Sequence, residues 1–244
     1  MLTLLALFLL MQTPGAAAPP ARTGAYLYKT SLIQAAPGKI VELIDVLKAK
    51  AAADVAAGEE APLWMRHRQG DKWDLLVLTP MGSYTEYYKA ERVARRAAAA
   101  RTSGTGEKIP PLIAWQEDVF VSGPPPADVR KACEGAGLFH VEMFQALSGK
   151  RGELLREREM ENAFLAKLEQ PQNLIFVRDQ GAAWDVFTIG CFRSLAQYAS
   201  ADDRPVEQQD AAARAAGFSG LAGIGPYLRQ FIAMHHDTLA SAIR

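Results

Sequence analysis

Apolar and polar positions along this chain fall into two blocks that superimpose when the sequence is shifted on itself by about 111 residues. Gln34-Ala35 then lands on Gln145-Ala146, Gly38-Lys39 on Gly149-Lys150, and Glu42-Leu43 on Glu153-Leu154. Further on, Gln69-Gly70 lands on Gln180-Gly181, Trp73-Asp74 on Trp184-Asp185, Ser83 on Ser194, and Tyr87 on Tyr198. Each block predicts the same elements in the same order. An opening strand, Tyr26 to Ile33 or Leu138 to Phe144, is rich in aromatic and aliphatic residues and stops at a Gly-Lys turn. Ile40, Leu43, Ile44 and Leu47 then recur at helical spacing, and Leu154, Leu155, Phe164, Leu165 and Leu168 do so in the second block. A Gly between two apolar runs marks a hairpin in each: Leu63 to Arg68 with Trp73 to Thr79, and Leu174 to Arg178 with Trp184 to Ile189. Second helices begin at capping boxes, Ser83 with Glu86 and Ser194 with Gln197. Loops rich in Gly and Pro lead to last strands near Ile113 to Val121 and Leu228 to His236.

The predicted order is therefore βαββαβ, twice. Residues 22–122 form the first unit and 137–244 the second, with 123–136 as a linker whose Gly123-Pro124-Pro125-Pro126 cannot continue a sheet. The chain opens on an apolar run, Leu2 to Met11, followed by Ala16-Ala17-Ala18, which reads as a signal peptide over residues 1–21 and implies a periplasmic or secreted protein. That run is too short to span a bilayer, so no stable membrane anchor is expected after cleavage. Lysine plus arginine equal aspartate plus glutamate at 27 each, which removes the global field that nucleic acid would need. The only cysteines, Cys133 and Cys191, lie far apart in sequence, and we favour two unpaired structural thiols.

The opening strand running into Pro37-Gly38-Lys39 and a long helix, and the hairpin carrying Trp73-Asp74, resemble the dimeric α+β barrel superfamily. The likeness covers nearly all of the mature chain and is greatest to NIPSNAP and antibiotic-biosynthesis-monooxygenase type domains. It implies two tandem ferredoxin-like units of α+β class, packed sheet to sheet as a pseudo-dimeric α+β barrel around a small cavity. It also implies a monomeric pseudo-dimer or a homodimer, and allows haem, although no haem-contact signature is present. No catalytic motif of a member is matched, so the cofactor stays unknown.

In the ferredoxin-like order the last strand runs antiparallel beside the first, which brings His140 near His235 and His236. Side chains alternate along a strand, so Glu142 shares the side of His140. Taking Phe139, Val141 and Met143 as the helix-facing set turns His140 and Glu142 toward the space between the sheets, where the first unit offers Lys29 and Ser31. Two function classes follow. One is a binding protein holding a small, partly apolar molecule between the sheets, with Lys29, Ser31, His140 and Glu142 as its polar contacts. The other is a monooxygenase- or isomerase-like enzyme, cofactor-independent or metal-dependent, with His140 as base and Glu142 orienting it. Imidazole with carboxylate also suits a metal held by His140, Glu142 and His235 or His236, with Asp237 behind them. Arg66-His67-Arg68 and the basic helix of Arg92, Arg95, Arg96 and Arg101 read as solvated surface.

Overall fold

In the computed structural model, which describes residues 26–200 and 203–243, the first block forms β1 (Tyr26–Ala35), α1 (Ile40–Ala56), β2 (Leu63–Gln69), β3 (Leu75–Gly82), α2 (Tyr84–Tyr87), α3 (Ala90–Ser103) and β4 (Ile113–Gly123). A linker helix, α4 (Pro126–Ala132), leads to β5 (Leu138–Ala146), α5 (Arg151–Lys167), β6 (Leu174–Gln180), β7 (Val186–Phe192), α6 (Leu195–Ala199), α7 (Val206–Ala215), α8 (Ile224–Leu228) and β8 (Ile232–Ala242). The expected signal peptide lies outside the described residues. Among those described, no helix is long and apolar enough to cross a membrane.

The expected capping serines are in place: Ser83 Oγ accepts from the Glu86 N–H at 3.2 Å, and Ser194 Oγ from the Gln197 N–H at 3.3 Å. The helices they start run for about one turn before new helices begin at Ala90 and Val206, so each predicted second helix is two. The last strand begins at Ile232 rather than Leu228, because Ile224–Leu228 winds into a short helix first. The linker is likewise helical from Pro126, a first-turn position where the missing N–H of proline costs little.

The two four-stranded sheets pack into one barrel, and their edges also join. The strand order β1-β3-β2-β8-β5-β7-β6-β4 closes on itself through the β4·β1 pair, with unit-to-unit seams at β2·β8 and β4·β6. Closure removes every sheet edge. It also buries the face of each sheet that its own helices leave bare. That face supplies one continuous core, including Tyr28, Leu32, Met65, Trp73, Phe139, Val141, Met143, Phe176, Trp184 and Phe187. Phe176 and Phe187 stack there with centroids 4.7 Å apart.

Phe139, Val141 and Met143 therefore point into the barrel, and His140, Glu142 and Phe144 point toward the helices, the reverse of the facing inferred from sequence. Ile33 likewise belongs to the helix-side core with Leu43, Ile44 and Leu47. The physical reason is that large apolar side chains fill the interior of this barrel and leave little room for water beside them. The drier of two alternating sets goes inside, and the polar set goes where helix side chains can pair with it.

The repeated hairpin residues are explained by closure and by strand ends. Gly70, at φ +124°, lies so close to β8 that a Cβ there would stand 2.2 Å from the Asp237 carbonyl oxygen; Gly181, at φ +87°, abuts Asp118 and Val119 of β4. Asp74 and Asp185 accept the Ala35 and Ala146 N–H groups at 2.8 and 2.9 Å, satisfying donors where β1 and β5 end. Trp73 and Trp184 beside them fill the barrel end.

Cys133 and Cys191 form a disulfide with Cα atoms 5.1 Å apart, which corrects the expectation of free thiols. The sequence gives no sign that α4 folds back over the barrel and brings Cys133 against β7. In the chain-entropy account a link across 58 residues is worth about 4 kcal/mol.

Gly70→Ala is expected to destabilise the protein by about 2 kcal/mol or more, because both the positive φ and the contact with β8 oppose a Cβ. Urea denaturation at equilibrium checks this, with Gly58→Ala as the control: that glycine also has positive φ, but a Cβ there meets nothing within 4 Å. Equal losses in the two variants would remove the seam contact as the cause.

Candidate functional site

The helix side of each half carries a polar cluster built on the central pair of strands. In the first unit Ser31 of β1 stands opposite Asp118 of β4, and in the second Glu142 of β5 stands opposite Asp237 of β8. The repeat thus aligns Lys29 with His140, Ser31 with Glu142, Asp118 with Asp237 and Gln116 with His235.

In the first unit Asp118 is the hub. Its carboxylate accepts from Ser31 Oγ at 2.6 Å and Gln116 Nε2 at 2.8 Å, and lies 3.5 Å from Lys29 Nζ. Above this floor a cavity of about 430 Å³ opens between the sheet and helices α1 and α3. Ile33, Leu47, Ala51, Trp64, Val77 and Ile109 give it apolar walls, while Lys29, Ser31, Thr79 and Gln116 supply polar groups from the strands. One rim is fixed by Glu59, whose buried carboxylate takes Arg92 Nη2 at 2.6 Å and Arg96 Nη1 at 3.3 Å. Arg96 also lies over the Tyr87 ring at 3.8 Å. Two arginines of the helix expected to be solvated surface are therefore turned inward, whereas Arg66 and Arg68 of the hairpin are exposed as expected.

The second unit fills the equivalent volume with charge. Arg158, aligned with Leu47, is 2% exposed and is shared by three carboxylates: Glu157 at 2.6 Å, Glu161 in a close contact, and Glu142 at 3.4 Å. Thr188 Oγ1 donates to Glu142 Oε2 at 3.0 Å. Across the strand pair, His140 Nε2 lies 3.6 Å from Asp237 Oδ1, and His235 Nε2 lies 3.1 Å from Asp237 Oδ2. Of the two candidate terminal histidines it is His235 that shares this face. His236 projects to the other side, where its Nδ1 meets Asp71 at 3.3 Å beside a small cavity of about 130 Å³ at the barrel end. Sequence reasoning brought His140 and Glu142 together with one of His235 and His236 but gave Asp237 only a supporting place, and it did not find Asp118, Glu157, Arg158 or Glu161. Aligning the last strands with each other rather than with the 111-residue shift would have paired Asp118 with Asp237.

No family model matches the sequence, and no curated protein matches it. Solved structures do share its shape. An "anthrone oxidase-like protein" superimposes with a TM-score of 0.56 at 13% identity, over 91% of this chain and 93% of its own. A "putative monooxygenase" from Lactobacillus acidophilus gives 0.55 at 9% identity, over 88% and 93%. Another, from Fusobacterium nucleatum, gives 0.55 at 6% identity, over 91% and 94%. The chain has the dimeric α+β barrel fold. Both halves of that barrel lie in one polypeptide, and each half keeps its own helix-side cluster.

The electrostatics of the two halves of this α+β barrel differ. In the first, burial would raise Glu59, but Arg92 and then Arg96 hold its carboxyl below the usual range. In the second, burial pushes Glu161 up to about 7 against the pull of Arg158, and burial likewise raises Glu157. Burial alone would lower His140; the Asp237 and Glu142 carboxylates outweigh it and leave the imidazole raised. A carboxyl whose folded pKa lies above its unfolded value contributes stability at low pH that is lost as the pH rises through the folded value. Relative to Glu161→Gln, the wild-type barrel is therefore expected to lose stability between about pH 4.5 and 7, by on the order of 1–3 kcal/mol. Urea midpoints of both proteins at pH 5 and pH 8 test this, and a difference independent of pH would contradict it.

Proposed function

We propose that the protein binds a small, partly apolar molecule, seated in the first-unit cavity between the sheet and helices α1 and α3. The observation that carries this reading is the cavity itself: about 430 Å³, largely apolar in its lining, with hydrogen-bonding groups from β1, β3 and β4 and charged groups from the helices and from the loop after α1. This moves the ligand from between the sheets, where large side chains pack the barrel, to the helix side. Lys29 and Ser31 remain ligand contacts in this reading, joined by Gln116, whereas His140 and Glu142 serve a separate place. Because one chain supplies both halves of the barrel, a monomer suffices, with no second copy needed to complete the fold. The leader-like start of the sequence and the Cys133–Cys191 disulfide support a periplasmic or secreted location.

A second reading is an enzyme of monooxygenase or isomerase type. Shared shape with solved proteins described as monooxygenases and as anthrone oxidase-like favours it. So does His140, whose partner is Asp237 and whose basicity is raised. On that reading His140 is the general base and Asp237, with Glu142, orients it.

Filling the cavity tests the first reading. A naphthalene-sulfonate fluorophore is expected to bind the wild-type protein saturably at one per chain, and Ala51→Phe is expected to weaken it at least ~10-fold, equal to about 1.4 kcal/mol. A cooperative melt shows that the variant is folded. Unchanged affinity in a folded Ala51→Phe protein would place the probe elsewhere and remove the observation on which the reading rests.

A further inference from the structure

We propose that the second unit carries a divalent-metal site built from His140, Glu142 and Asp237, with His235 as a fourth donor at its rim. The inference stands independently of the first-unit ligand. Among the described residues, His140, Glu142 and Asp237 form a trio whose donor atoms all lie within 4.8 Å of one another. Donors sharing one zinc-sized ion sit about 3–4 Å apart, since metal–nitrogen and metal–oxygen bonds are about 2.0–2.2 Å. Small rotations of these side chains bridge the difference.

The internal repeat supplies an independent reason. In the first unit the corresponding place holds its own cation: Lys29 Nζ faces Asp118, with neutral Ser31 alongside. The second unit keeps the aspartate, exchanges the ammonium for an imidazole, exchanges the serine for a carboxylate, and exchanges Gln116 for His235. Each change removes positive charge or adds a metal-binding atom. Arg158 does not restore the balance, because it already serves Glu157 and Glu161 and reaches Glu142 only at 3.4 Å. Its contact and that of Thr188 both fall on Oε2 of Glu142, so neither engages Oε1. These two groups do for Glu142 what outer partners do for a ligating carboxylate, fixing its orientation from behind. An ion has an approach from solvent, because the Asp237 side chain is 52% exposed.

Mixed imidazole and carboxylate donors suit zinc, manganese or ferrous iron rather than calcium or a thiolate-seeking ion. Zinc is the probe. Untagged protein stripped with a chelator is titrated with Zn²⁺ by calorimetry and with Co²⁺ by visible absorption, alongside His140→Ala, Asp237→Asn and His140→Lys. One ion per chain is expected for the wild type, with a rise in melting temperature and a cobalt d–d band. His140→Ala and Asp237→Asn are expected to weaken binding at least ~10-fold. His140→Lys rebuilds the first unit's ammonium; it is expected to fold and to abolish binding, which separates a lost ligand from a lost fold. No saturable binding to the wild type, or equal affinity in folded Asp237→Asn and His140→Lys, would overturn the proposal.

Discussion

Closure of two four-stranded sheets at two seams is the constraint on which everything else in this molecule depends. A single βαββαβ unit has helices on one face only, and its other face, with residues such as Tyr28 and Leu32 or Phe139 and Val141, would lie open to water. Joining β2 to β8 and β4 to β6 hides both faces at once and leaves no free edge. The seams demand close backbone approach, which is why each hairpin carries a glycine against the opposite unit's last strand. The disulfide from the end of the linker helix to β7 ties the connection between the units to the barrel it helps close.

With the barrel axis filled, chemistry is left to the layer between sheet and helices. There the same four strand positions have taken different courses. In the first unit Leu47 and its neighbours are short enough to leave a cavity above Lys29, Ser31 and Gln116. In the second, Arg158 and three glutamates occupy the space, and the strand positions carry His140, Glu142, His235 and Asp237. The repeated scaffold thus carries a cavity in one half and a cluster of imidazole and carboxylate groups in the other.

The repeat and its elements were legible in the sequence because the signals were local: glycines at turns, serines at helix starts, and Trp-Asp where a strand end needs an acceptor. The adjacency of β5 and β8 was legible too, since it follows from strand order alone, although the register sets His140 opposite Leu239 and not opposite a histidine. The facing of β5 was not. Phe139, Val141 and Met143 alternate with His140, Glu142 and Phe144, and whether a helix layer or a second sheet is the drier neighbour is decided by closure, a contact between distant segments. The same holds for the Cys133–Cys191 bond and for Arg92 and Arg96, whose partner Glu59 lies in a loop more than thirty residues earlier in the chain.

Whether a ligand binds on the helix side or within the barrel can be read through the four tryptophans. Trp64 lines the first-unit cavity, whereas Trp73, Trp115 and Trp184 line the small cavity at the barrel end. A spin-labelled naphthalene analogue quenches tryptophan fluorescence only near contact, so the quenching at saturation, compared between wild type and Trp64→Phe, reads which ring lies next to the probe. Loss of most of the quenching in Trp64→Phe, with the probe still bound, is the predicted result. Quenching that persists without Trp64 and vanishes when Trp73, Trp115 and Trp184 are replaced by Phe would put the ligand inside the barrel and contradict the helix-side placement.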